Sequence, residues 1–196
     1  MNAAPPATEI FEHTRVMMSV VIGLSVTRLL TGFAEFIQHP KRQKISLLHL
    51  GWALAMLLTC INFWWRELAL MEISHWSFSI YLFLITATVL LFLLCALLFP
   101  SSVDEYGGYE AFFLARRRWF FAILAVAVLC DVADTAIKGH AYYSTFAGQY
   151  FVRVPFYLAV CGVAVSTPDR QIHRMIVIAS LGYQIFWIAS VFNLPS

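Results

Sequence analysis

Charge is scarce in this chain: Asp, Glu, Lys and Arg make up 12% of its 196 residues, about half the share found in an ordinary soluble domain. Without that solvated surface, and at 61% hydrophobic content, the chain belongs in lipid rather than water. The formal charge of +2 is too small to leave an electrostatic footprint on nucleic acid, so no such partner is expected. Cysteine is sparse as well. Cys60, Cys95, Cys130 and Cys161 fall singly on four separate apolar segments, which excludes a close-spaced zinc site or disulfide frame and reads as small buried apolar residues. Also missing are a Gly-rich phosphate loop, a nucleophile elbow, a His-Glu-x-x-His pair and a Ser/His/Asp order. Catalysis therefore has no positive signal, and no cofactor is expected. All six histidines lie near the ends of apolar runs, where they are badly placed as axial haem ligands. The stretch from Met1 to His13 has no Lys or Arg, so it lacks the basic region of a signal peptide and is expected to remain on the mature chain.

What the chain does have is apolar length. Runs bounded by charge or proline predict six membrane spans, at about 15–38, 46–65, 76–99, 118–137, 149–166 and 173–193. Six spans of ~20 residues each consume most of the chain, which leaves one all-α, polytopic helical bundle, residues 1–196, and no room for a separate soluble domain. The third span is free of charge from Ser79 to Phe99 and is ended by Pro100. The fifth is interrupted by Arg153 and Pro155. Between the third and fourth, residues 104–118 combine Tyr106, Tyr109, Phe112 and Phe113 with Arg116, Arg117 and Arg118. That composition predicts a cytoplasmic interfacial elbow whose arginines meet anionic headgroups.

Orientation follows from basic residues, which stay cytoplasmic. Lys41, Arg42 and Lys44, then Arg116 to Arg118, then Arg170 and Arg174 fall in alternate connections, against Arg15, Arg66 and Lys138 on the other side. Both termini are therefore expected outside the cytoplasm, most simply in a bacterial inner membrane.

An ionised group at a span's centre costs about 2.5–3.5 kcal/mol on the insertion scale, so the charges within spans need partners or water. Estimated depth matches Arg28 with Asp131, and Arg153 with Asp134. Such groups mark solute or ion pathways by default, with Thr27, Thr31, Asn62 and Gln184 as further hydrogen-bonding groups. The polar interior is expected from spans one, four, five and six, with span three at the lipid-facing periphery. On span one Ser19, Gly23, Thr27 and Thr31 recur every four residues beside Gly32 and Glu35, a small-residue stripe suited to helix packing and to a homo-oligomer. Near the N-terminus Glu9, Glu12 and His13, with His75 and His140, offer ligand types that zinc uses.

The function expected from these residues is an oligomeric channel or transporter that passes a small ion or polar solute through a charged interior. Two alternatives stand beside it: a non-transporting subunit, sensor or assembly factor with structural charge pairs, and a metal-dependent membrane enzyme.

Overall fold

A computed structural model describes residues 6–38, 46–73, 75–100 and 104–192. Lys41, Arg42 and Lys44, which enter the orientation argument, and the last residue of the sixth expected span, Asn193, lie outside that set. Among the described residues the chain is all-helical: α1 (Ala7–Gln38), α2 (Leu47–Arg66), α3 (Phe78–Leu98), α4 (Tyr109–Ile137), α5 (His140–Ser166) and α6 (Arg170–Phe192), with 3-10 turns at Glu67–Glu72 and Asp104–Tyr106. All six α-helices are long and apolar enough to cross a bilayer, so this is an integral, multi-pass membrane protein.

Local chemistry sets the helix ends. Ser46 and Ser77 cap α2 and α3, their hydroxyls accepting from the backbone N–H of His49 and Ile80, each at 3.3 Å. Gly108 and Gly139, at φ 131° and 108°, turn the chain into α4 and α5 in a backbone region that side chains disfavour. The turn between α4 and α5 is only Lys138 and Gly139, which makes the two helices an antiparallel hairpin. Pro155 lies inside α5 without ending it; its missing N–H costs one bond of the helical ladder.

Successive helices alternate in direction. One end of the bundle therefore holds the start of α1 and the end of α6 (the terminal end), and the other holds Arg116 to Arg118, Arg170 and Arg174 (the basic end). At the basic end the Tyr109 hydroxyl donates to Glu35 at 2.9 Å, and His49 Nε2 meets the Leu98 carbonyl at 2.6 Å. The core between them is aromatic. Trp52, Phe113, Phe120 and Phe121 are fully buried, and Trp52 meets Phe120 and Phe121 edge-to-face at 5.2 and 5.3 Å between ring centroids.

Two expectations about the frame need correction. Residues 109–118 do not form a separate elbow, because they are the first turns of α4, and Tyr109, Phe112 and Phe113 point into the core. Gly107 and Gly108 separate the turn at Asp104–Tyr106 from the helix that begins at Tyr109. Span three is also not peripheral. α3 packs against α1, α2 and α4, with Leu84, Thr88, Leu94, Cys95 and Leu98 fully buried, since an apolar surface serves equally against lipid or against neighbouring helices.

Candidate functional site: a charged cavity at the terminal end

The sequence Asp131-x-x-Asp134-Thr135-x-x-Lys138 places four polar side chains on one face of α4, at the i, i+3, i+4, i+7 spacing of successive turns. Opposite that face α2 ends in Arg66 and Glu67, and α5 brings Tyr150 and Arg153. The result is two adjoining ion networks. In the first, the Asp131 carboxylate takes Arg66 Nη1 on one oxygen and Arg153 Nη2 on the other, both at 2.6 Å. Arg66 Nη2 also donates to the Thr135 hydroxyl at 2.5 Å and the Tyr150 hydroxyl at 3.1 Å. In the second, the buried Lys138 ammonium donates to Asp134 at 2.6 Å and to Glu67 at 2.8 Å. These short, charge-assisted bonds are the strong kind. Burial alone would lower the pKa of Lys138, but the Asp134 and Glu67 carboxylates outweigh it and hold that pKa above the ordinary lysine value.

Aromatic rings wall the cations. Arg66 lies over Phe146, Lys138 over Tyr142, and Arg153 between Tyr150 and Trp187, each 5.5–5.8 Å from the ring centroid. The Trp187 indole in turn donates to Gln149. Behind this belt a cavity of about 120 Å³ extends between α2, α4, α5 and α6, with α3 as its back wall. Its charged end holds Arg66, Asp131, Asp134 and Arg153; its apolar end holds Ala55, Ala87, Leu91, Leu124 and Ala127 and stops at Trp52. Along α2, Arg66 and Trp52 are about 21 Å apart at helical rise. Four buried polar atoms of wall residues have no protein partner, Arg66 Nε, Trp52 Nε1, Ser180 Oγ and Asp134 Oδ1; desolvated without a partner each is costly.

Of the residues expected from the sequence, Asp131, Asp134, Arg153, Asn62 and Gln184 all line this cavity, and Gln184 donates to Thr59 at 2.9 Å. The expected pairings are not formed. Asp131 pairs with Arg66 and Arg153, and Asp134 pairs with Lys138. Arg28 is half-buried on α1 and has no ion pair among the described residues. The reason is depth: measured from the Glu35–Tyr109 contact, Arg28 lies about 10 Å along α1, whereas Asp131 lies about 33 Å along α4. Arg28 is thus close enough to the basic end for its long side chain to snorkel toward headgroups. Thr27 and Thr31 are exposed on α1, away from the cavity, so α2 and not α1 supplies the first wall.

The small-residue stripe divides as well. Gly32 faces inward, where a Cβ would fall 2.2 Å from the Phe99 ring, while Gly23 has open space and the Ser19 hydroxyl bonds back to the Val16 carbonyl at 2.7 Å. The zinc-type ligands do not converge: no group of three or more His, Cys, Asp or Glu suited to a metal occurs among the described residues. His13 instead stacks on Tyr81. Helical spacing near the N-terminus brought Glu9, Glu12 and His13 onto neighbouring turns of α1, but among the described residues no second helix adds ligands to them.

Sequence reasoning missed Arg66, Glu67, Thr135, Lys138 and Tyr150. Arg66 and Lys138 end their apolar runs and so resemble loop residues; the signal that would have found Lys138 is the four-residue polar face of α4. No family model matches the chain, and neither a curated protein nor a solved structure matches it significantly.

Proposed function

We propose that the protein is a carrier for a small polar or amphipathic solute, with the cavity as its binding site and the Arg66–Asp131–Arg153 network as the gate at the terminal end. The observation that carries this reading is the cavity itself, which joins two arginines and a shared carboxylate to an apolar chamber whose buried polar atoms lack protein partners. Intramembrane ionisable groups around such a space mark solute pathways by default. The Trp52, Phe113, Phe120 and Phe121 cluster closes the chamber toward the basic end, and a pathway blocked at that end suits a carrier better than an open channel.

The clustering of Arg116 to Arg118, Arg170 and Arg174 at one end supports a cytoplasmic basic end, both termini outside, and contact of Arg116, Arg117 and Arg118 with anionic headgroups. A bacterial inner membrane is the simplest setting. The exposed Gly23, Thr27 and Thr31 face of α1 is suited to close packing against a second copy in a homo-oligomer.

A second reading has its own support: the six charges of the two networks neutralise one another within the chain, as a closed structural core in a non-transporting subunit, sensor or assembly factor requires. Proteoliposome flux separates the two. A carrier shows saturable uptake of protons, inorganic ions or small organic solutes that Trp52→Ala raises and Ala127→Leu abolishes. Absence of flux for all of them, with Asp131→Asn merely destabilising the fold, would leave the structural reading.

A further inference from the structure

We infer that the solute of this site is a small hydrophobic monocarboxylate of the benzoate class, its carboxylate on Arg153 and its ring in the alanine-walled chamber. The inference rests on the reading that the cavity binds a solute, and narrows that solute by size, shape and charge. At about 120 Å³ the space is close to the ~150 Å³ that admits a benzene ring. Ala55, Ala87 and Ala127, one each from α2, α3 and α4, create it, since larger residues at those positions would occupy it; Met56, Leu91 and Leu124 complete an apolar lining. The total space is therefore on the scale of one benzene ring with a small head group, and the alanines leave room for the ring at the apolar end.

The charged end selects the head. Two guanidiniums share one carboxylate, Asp131, which leaves one positive charge in excess. Arg66 spends Nη1 and Nη2 on Asp131, Thr135 and Tyr150 and keeps only a buried Nε unpartnered, whereas Arg153 gives a single donor, Nη2, to Asp131 out of the five that a guanidinium carries. The matching excess of negative charge, Lys138 shared by Glu67 and Asp134, is set back: Lys138 and Glu67 do not line the cavity, and Asp134, which does, is held by Lys138 on one oxygen. A carboxylate arriving at Arg153 finds open donors and a surplus cation. An ammonium meets two guanidiniums and has only the free Asp134 oxygen to bind, and a neutral amide can accept from Arg153 but brings no charge to balance it.

Trp52 and Trp187 both line the site, so binding is readable by tryptophan fluorescence on the full-length protein in detergent, titrated with benzoate, benzamide and benzylamine. The expected result is saturable binding of benzoate at least tenfold tighter than either analogue. Arg153→Gln should abolish that preference while retaining benzamide binding, and Ala87→Leu should remove all binding. Benzamide or benzylamine binding as tightly as benzoate, no saturable benzoate binding, or benzoate binding unchanged in both variants would each overturn the inference. Should Arg153→Gln aggregate, the three probes on the wild-type protein decide alone. Benzoate binding without benzoate flux supports the ligand class and removes the carrier reading; ion flux without benzoate binding does the reverse.

Discussion

Asp131→Asn is the most informative single change, because one carboxylate holds two guanidiniums on two different helices. Asparagine keeps the shape and one acceptor oxygen but removes the charge, which leaves Arg66 and Arg153 facing each other with no anion between them. Removing one partner of a buried pair costs about 3–5 kcal/mol. Asp131 and Arg153 are each 18% exposed and Arg66 9%, so partial solvation places the loss toward the lower part of that range, near ~3 kcal/mol. For a chain of this length each kcal/mol moves the melting temperature by roughly 2–4 °C, which gives a fall on the order of 10 °C. The assay is thermal denaturation of the purified protein in detergent, followed by the fraction surviving size-exclusion chromatography. Two companions sharpen it. Arg28→Gln, which breaks no ion pair among the described residues, should shift the midpoint by no more than about 2 °C. The double variant Asp131→Asn with Arg153→Gln should recover about 1–2 kcal/mol of the loss, as one of the two orphaned cations is gone. A fall for Asp131→Asn no larger than that for Arg28→Gln, or no recovery in the double variant, refutes the shared-carboxylate argument.

Lys138→Met strands the Glu67 and Asp134 carboxylates and should cost about 3 kcal/mol by thermal denaturation, more than replacing all three groups by apolar residues of similar size. Because the folded pKa of Lys138 lies above its ordinary value, its contribution is complete below about pH 10 and is lost only as the pH rises toward the folded pKa; a melting profile across alkaline pH should show that decline in the wild-type protein and not in Lys138→Met. Gly32→Ala drives a methyl into the Phe99 ring and should destabilise by roughly 1–3 kcal/mol, whereas Gly23→Ala, with nothing within 4 Å, should change stability by less than about 1 kcal/mol; equal effects in the same denaturation assay would contradict the inward placement of Gly32. Cys60 and Cys95 bring their sulfurs to 3.8 Å between α2 and α3, so iodine treatment should join them, seen by mass spectrometry as a cross-linked peptide pair; recovery of both only as free thiols would mean the helices pack in another register.

The helices were legible from the sequence because lipid imposes a long, simple signal: twenty apolar residues in a row cannot be mistaken for much else. Partners were not, because pairing depends on tilt and offset that apolar composition does not encode. Asp131, Asp134 and Arg153 could be singled out by the cost of burying charge, yet the residues that neutralise them, Arg66 and Lys138, sit where an apolar run ends and look like loop residues. The same blindness affected the glycines. Gly23 and Gly32 read alike as small residues of one stripe, but only Gly32 meets a ring on a neighbouring helix. Cys60 and Cys95 share no sequence motif, and their contact exists only because α2 and α3 run side by side.

The tight Lys138–Gly139 turn carries a consequence for biogenesis. α5 is among the least apolar of the six helices and bears an arginine whose entry into hydrocarbon costs about 2.5 kcal/mol or more when alone. Asp131 on α4 lies across the hairpin from Arg153, so the two segments can leave the insertion machinery together with the cation already neutralised, while Arg66, synthesised earlier, waits in the membrane to complete the set. Lengthening that two-residue turn would expose α5 to the lipid unaccompanied, and the first symptom would be a chain whose last two helices fail to enter the membrane.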